Sequence, residues 1–167
     1  MTLDFPPRQS FGYLYIHIPP AKQQNTLLFL HGFPSQLHDW THQIHHFSSL
    51  GHGILACDLL GRMKQHLDAF GRKGGYTGAT RWYRMWLENR FAPDEVGYEG
   101  VEITQQSLFV VPKQPAASAE QQRQMLASWT PSLTTVYVDS GHWVHLERAS
   151  ETNRAIEGFL RELRSQG

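Results

Sequence analysis

The stretch TLLFLHGFPSQLHDWTHQIHHFSSLGHGILAC, residues 26–57, decides the fold. Its first five residues form a nearly unbroken apolar run, which is typical of a strand covered by helices on both faces. Over residues 37–50, apolar side chains recur at helical spacing and predict a helix with one buried face. GILAC, Gly53–Cys57, then begins a second strand. A strand, a helix and a parallel strand form a βαβ unit, so the sequence predicts an α/β fold.

Strands and helices continue to alternate outside this unit. Residues 11–18 alternate between apolar and polar and predict a half-buried strand, while the apolar runs 107–111 and 134–138 predict buried strands. Residues 120–129 and 149–164 have the pattern of helices. We expect the four apolar runs, from TLLFL to TTVYV, to be parallel neighbours in one sheet.

Residues 62–100 interrupt this alternation with basic and aromatic sequence that is helix-like and contains no clear strand. We therefore divide the chain into an N-terminal part of the core, 1–61, a middle segment, 62–100, and a C-terminal part of the core, 101–167. A chain of 167 residues suits one compact domain, since domains usually have about 100–200 residues.

The composition excludes several classes of partner. Fifteen Lys and Arg balance fifteen Asp and Glu, so no basic excess argues for nucleic acid or an anionic membrane surface. No stretch has the length of a signal-peptide core or a membrane span. We expect a soluble, cytoplasmic protein with a small-molecule partner, and the sequence leaves the oligomeric state open. Cys57 is the single cysteine and lies in a predicted strand core.

A histidine near the C-terminus is a candidate acid–base group. The run TTVYVDSGHWVHLE, residues 134–147, ends a predicted strand at a glycine and places His142 in the following loop. Imidazole titrates near physiological pH, so His142 there can take a proton from a nucleophile or from water. Asp139 lies close by in sequence, and we interpret it as a residue that caps the turn.

Four blocks of the sequence resemble segments of α/β-hydrolases, specifically of the epoxide-hydrolase branch, in the order of that family. They are LLFLHGFPSQLHDWTHQI, the strand that leads to DLLG, GGYTGATRWYRMW, and DSGHWVHLERASETNRAIEGFL. The blocks cover most of the chain. The resemblance implies a reduced α/β-hydrolase fold, with a mostly parallel sheet, flanking helices and a remnant helical lid over about residues 62–90. It also implies hydrolysis of a small apolar epoxide or a related substrate.

In the family the HGFP turn supplies an oxyanion hole, and the resemblance gives this role to the backbone N–H of Phe33. His31, Gly32 and Pro34 belong to the same turn, and with Trp143 they are expected to line the substrate site. A turn at the carboxyl end of a parallel strand can point a backbone donor into the crevice where such sheets bind ligands. An ordinary turn that ends the strand is the alternative.

The lid block carries a second expectation. By motif, Tyr83 in RWYR matches the family's lid tyrosine, which donates a hydrogen bond to the epoxide oxygen as the ring opens. A phenol suits this role because it donates to a developing alkoxide while its ring packs in an apolar pocket. Trp82 is expected beside it as a substrate-binding residue. The alternative is a packing cluster of Trp82, Tyr83 and Trp86.

Two parts of the family's catalytic machinery are missing from the sequence. No elbow of the form Gly-x-nucleophile-x-Gly follows DLLG, so the segment that would hold the nucleophile strand is absent. At the position of the acid that orients the histidine, the chain has Gln114. An amide lacks the charge that stabilises an imidazolium, although its carbonyl could hold one tautomer of His142.

The histidine-rich helix suggests a metal site. His38, His42 and His45 are spaced to lie along one helix face, but no cysteine or well-spaced carboxylate completes a ligand set. The sequence therefore predicts no metal and no other cofactor.

Three functional hypotheses follow. The chain is an epoxide-hydrolase-like enzyme with impaired or altered activity, in which His142 is the base and Tyr83 the donor. Alternatively, it is a pseudoenzyme that binds a small apolar molecule or another partner without turnover. The third hypothesis is a truncated product of a longer hydrolase gene.

Overall fold

The computed structural model describes residues 6–10, 13–32, 35–58, 84–85, 87–90, 92–97 and 100–165. The chain divides into two compact units, Met1–Leu60 with Glu102–Gly167, and Gly61–Val101. Among the described residues of the first unit there are six strands, β1 to β6, and four α-helices, named α1 and α3 to α5 and introduced below. In the second unit the structure describes a short helix, α2, over Ala92–Glu95.

The N-terminal half of the first unit forms a four-stranded sheet in the order β1-β2-β4-β3. β1 (Arg8–Ser10) pairs antiparallel with β2 (Tyr13–Ile18), and β2 pairs antiparallel with β4 (Gly53–Cys57). β3 (Thr26–Phe29) pairs in parallel with β4. The predicted parallel βαβ unit is therefore present.

The C-terminal half of this unit forms a second sheet of two parallel strands. These are β5 (Ser107–Pro112) and β6 (Leu133–Val138). Helix α3 (Ala116–Trp129) connects them, so this half is a second βαβ unit.

The prediction that the four apolar runs are neighbours in one sheet is wrong. β3 pairs with β4 and β5 pairs with β6, but no hydrogen-bonded ladder joins the two pairs among the described residues. Parallel neighbours need continuous strand-to-strand hydrogen bonding. The described strands therefore form two separate sheets.

One face of the four-stranded sheet carries the hydrophobic core. Because side chains alternate along a strand, the same face collects Ile16, Phe29 and Ile54, which are all buried. Helix α1 (Thr41–Ser49) covers this face with the fully buried Ile44 and Phe47. The helical spacing noted in the sequence thus identifies the packing face correctly.

The opposite face of β3 is open. Leu28 is 56% exposed and Leu30, directly after the strand, is 52% exposed. The prediction that TLLFL is covered on both faces is therefore wrong, because helices of the first unit cover only the face that carries Phe29.

The remaining helices follow the predicted pattern. The predicted helix over 37–50 begins with a 3₁₀ turn, Leu37–Trp40, before α1. A short helix, α4 (Val144–Glu147), precedes the long helix α5 (Ala149–Ser165). α5 contacts α1, β5 and β6, and two of its residues, Ile156 and Leu160, pack against the N-terminal core. This helix therefore joins the two sheets of the unit.

None of the described helices combines the length with the apolar character that crossing a membrane requires.

Candidate functional site

A pocket of about 240 Å³ lies where the chain leaves β3 and β6 at their carboxyl ends. Ligands of open α/β sheets bind at this edge, because the loops that follow parallel strands meet there. The pocket contains three imidazoles, two indoles and few other polar side chains. Its lining residues are Leu30, His31, Gly32, Ser35, Trp40, His142, Trp143 and His145.

His31 is tied to the protein through both ring nitrogens. Its Nε2 lies 3.1 Å from Asp58 Oδ1, and its Nδ1 lies 3.1 Å from the carbonyl oxygen of Gly32. The two side chains of the ion pair are 1% and 6% exposed. Both ring nitrogens of His31 are therefore occupied by protein groups, and the contact with Asp58 holds the turn after β3 to the end of β4.

His142 is exposed and belongs to the loop that follows β6. Its ring packs edge-on against Trp143, with 4.6 Å between the ring centroids. Among the described residues no hydrogen bond reaches either ring nitrogen of His142. The imidazole therefore faces the pocket without a carboxylate or amide partner.

The loop that carries His142 is held by a carboxylate from α4. Glu147 accepts hydrogen bonds from the backbone N–H of Gly141 at 2.7 Å and of Trp143 at 3.1 Å, the residues on either side of His142. A Cβ at Gly141 would lie 3.0 Å from Glu147 Oε1, so a larger residue there would require the carboxylate to shift by a few tenths of an ångström. Charge-assisted hydrogen bonds of this kind are stronger than neutral ones and restrict where His142 can point.

His145 lines the same pocket and is held by packing. Its ring lies over that of Trp40, with 4.4 Å between centroids and 32° between planes. Its backbone carbonyl accepts a hydrogen bond of 3.1 Å from the buried Gln43 side chain. Burial lowers the pKa of His145, His142 lowers it further, and the charge of Asp39 acts in the opposite direction.

Gln114, at the position expected for the acid, is not among the residues that line this pocket. It lines a different pocket with Glu120 and Tyr137, and no hydrogen bond joins it to His142 among the described residues. The expectation that its amide could orient His142 is therefore not met. In that second pocket, hydrogen bonds from Arg123 lower the pKa of Glu120 to about 2.

The other expected site residues, Phe33, Pro34, Trp82 and Tyr83, lie outside the described residues, and their roles stay predictions. Of the expected set, the structure brings His31, Gly32, His142 and Trp143 together. Within the described ranges, no three His, Cys, Asp or Glu side chains are grouped to hold a metal ion.

Three residues of the site were not anticipated in these roles. His145 lies three positions after His142, but His142 precedes helix α4, so helical spacing does not relate the two and the sequence carries no signal for His145. Asp58 directly follows the second predicted strand, where parallel strands present side chains to a shared edge. The hydrogen bonds that Glu147 accepts from the loop have no sequence signal, because their donors are backbone N–H groups.

Among solved structures, a CIB-like hydrolase from Thermoplasma acidophilum has a similar fold, with a TM-score of 0.58 and 19% sequence identity. The match covers 97% of this chain and 99% of that chain. The chain therefore has the expected α/β-hydrolase fold in a reduced form, with its sheet divided in two.

Among curated proteins, Epoxide hydrolase 1 of Siraitia grosvenorii is 44% identical over 46 residues, or 28% of this chain. That match spans only 15% of the length of the plant protein. No protein-family model matches the chain. The fold and this partial similarity support a relationship to the α/β-hydrolase superfamily.

Proposed function

We propose that this chain is an epoxide-hydrolase-like protein that binds a small apolar epoxide, or a related molecule, in the pocket of His142 and hydrolyses it slowly. The observation that carries the proposal is the His142 imidazole, which makes no hydrogen bond with the described residues and lines a pocket walled by Leu30, Trp40 and Trp143. Aromatic and aliphatic walls favour an apolar ligand. We place the protein in the cytoplasm as part of the same proposal.

The proposed chemistry is direct attack by water. His142 takes a proton from water, the water oxygen bonds to an epoxide carbon, and the carbon–oxygen bond of the ring breaks. The product is a diol, and no ester with the protein forms, since the sequence lacks a carboxylate on an elbow. Asp58 does not substitute for it, because its carboxylate is buried and bonded to His31.

The expected rate is low. The charge of an acid partner stabilises an imidazolium, and the described surroundings of His142 supply none. Loss of a member of a catalytic triad commonly costs several orders of magnitude, while groups that remain sustain a residual rate.

The test is single-turnover kinetics with an aryl epoxide in ¹⁸O-labelled water, followed by mass analysis of the diol and of the protein. We expect label in the diol from the first turnover, no mass added to the protein, and loss of the rate in His142→Ala. The matched control is His42→Ala, because His42 is exposed on α1 and does not line the pocket. A protein adduct that turns over would contradict direct attack.

A binding role without turnover is the second candidate. The observation that favours it is that no hydrogen bond joins Gln114 to His142 among the described residues, so its amide does not orient the histidine there. Retained binding of the diol in a folded sample that shows no turnover would support this role.

A truncated product of a longer hydrolase gene is the third candidate. The observation that favours it is that the described strands form two separate sheets, with no described strand that joins β3 to β5. An unpaired edge is an aggregation hazard. A sharp, cooperative thermal melt of the monomer would argue against this candidate, and genomic DNA around the codons for residues 61–67 tests it directly.

A further inference from the structure

We infer that His145 is a second ligand-contacting residue of the pocket, whose ring N–H donates a hydrogen bond to the oxygen of the ligand while His142 exchanges the proton of water. This assignment rests on the proposed function, because it concerns the same pocket. It gives His145 the role that the family resemblance assigns to Tyr83.

The first argument is availability. Three imidazoles line the pocket, and His31 is committed to Asp58 and to the Gly32 carbonyl. The ring nitrogens of His145 make no hydrogen bond within the described part of the chain. Neither nitrogen belongs to the fully buried side-chain atoms that lack a partner, so both are accessible. Accessible nitrogens on a pocket wall are free to meet a ligand.

The second argument is preorganisation. Trp40 packs on one face of the His145 ring, and Trp143 lies edge-on to it with 6.4 Å between centroids. The hydrogen bond from Gln43 to the His145 carbonyl fixes the backbone beneath the ring. A donor that packing holds in place costs little reorganisation when charge develops on a ligand oxygen.

The third argument is protonation, which also limits the class of ligand. Two titratable groups act on the pKa of His145, Asp39 from the 3₁₀ turn and His142 from the loop after β6. Burial keeps the His145 ring neutral at neutral pH, because it lowers the pKa of that imidazole. A neutral imidazole beside a carboxylate disfavours an anion, so the ligand is an uncharged molecule with an oxygen that accepts a hydrogen bond.

The proposed step then balances without a further reactant. One water proton moves to His142, the water oxygen forms a bond to the epoxide carbon, and the carbon–oxygen bond of the ring breaks. The released oxygen receives the hydrogen bond of His145 and takes up the proton that His142 had accepted. Water has been added, and both imidazoles return to their starting states.

The test uses the diol that this reaction yields, 1-phenyl-1,2-ethanediol, as the probe, so that it does not depend on turnover. The full chain is labelled with ¹⁵N-histidine, and the ring resonances are followed by NMR during titration. We expect the resonances of His142 and His145 to shift along one saturation curve, while those of the exposed His38 and His42 stay in place.

Variants at His145 complete the test. His145→Phe keeps the contact with Trp40 but removes the donor, and we expect it to weaken diol binding about tenfold, as loss of one hydrogen bond of about 1.4 kcal/mol does. His145→Gln restores an N–H donor and should recover part of the affinity. His42→Phe is the matched control and should bind the diol normally.

The outcomes separate this assignment from the proposed function. Diol binding that moves His142 but leaves the His145 resonances unchanged would overturn the assignment. So would a folded His145→Phe variant that binds as tightly as the parent chain. Failure of epoxide turnover, with both resonances shifting and the His145→Phe effect present, would refute hydrolysis and leave His145 as a binding residue.

Discussion

Replacing either member of the buried His31–Asp58 pair should destabilise the first unit strongly. The pair is almost fully removed from solvent, at 1% and 6% exposure, with 3.1 Å between Nε2 and Oδ1. Breaking a buried pair by removing one partner costs about 3–5 kcal/mol, because the remaining polar group stays buried without its partner. We therefore expect Asp58→Ala and His31→Ala each to lower the free energy of unfolding by about that amount.

The double variant should be less damaged than the sum of the two single variants. Removing both partners leaves neither polar group buried without its partner, so the coupling energy of a double-mutant cycle should be about 2–3 kcal/mol. The assay is urea unfolding followed by tryptophan fluorescence and circular dichroism, with equal m-values required across the cycle.

The chain offers a matched control of the same chemistry. His46 on α1 pairs with Glu157 on α5, and these side chains are 34% and 30% exposed. Solvent screens such a pair, so its coupling should stay below about 1 kcal/mol. Additive effects at His31 and Asp58, or a coupling no larger than that of the control, would refute the reasoning.

Further predictions concern the hydrogen bonds of Glu147 to the loop of His142, the half-buried ring of His145 and the two faces of the four-stranded sheet. Glu147→Gln replaces an acceptor oxygen by an amide donor that faces a backbone N–H. The loss of one hydrogen bond should lower the rate of the His142 reaction about tenfold. The Tm should drop by only a few degrees. The pKa of His145 is lower in the folded chain than its ordinary value of 6.5. Below that pH the unfolded chain therefore binds more protons than the folded chain, and the free energy of unfolding should decrease as the pH is lowered. This decrease should be smaller in His145→Phe. Phe47→Ala should cost about 3–5 kcal/mol in urea unfolding, because Phe47 is fully buried. Leu28→Lys should leave Tm unchanged and reduce light scattering at high concentration, because Leu28 is exposed.

Local structure followed from the sequence because local patterns determine it. The apolar runs at 107–111 and 134–138 lie within strands Ser107–Pro112 and Leu133–Val138, and the last predicted helix extends by one residue to Ser165. Sheet assembly did not follow. Whether two strands become neighbours depends on what lies between them, and an apolar run carries no record of its partner.

The candidate site, too, could be predicted from the sequence only in part. His142 and His31 were expected at one edge because each follows a strand, and the structure places both on the pocket. The availability of each imidazole could not be predicted. It depends on tertiary contacts, namely the Asp58 carboxylate that binds His31 and the Trp40 ring that holds His145 in place.

Helix α5 comes later in the chain than every element it contacts, and this order matters during synthesis. The four-stranded sheet is complete once Cys57 has been made, but Ile156 and Leu160 follow about 100 residues later. At about 5–20 residues per second, the ribosome needs about 5–20 seconds to supply them. Throughout this interval the nascent sheet has α1 as cover but lacks α5. We therefore expect the growing chain, more than the finished protein, to need a chaperone.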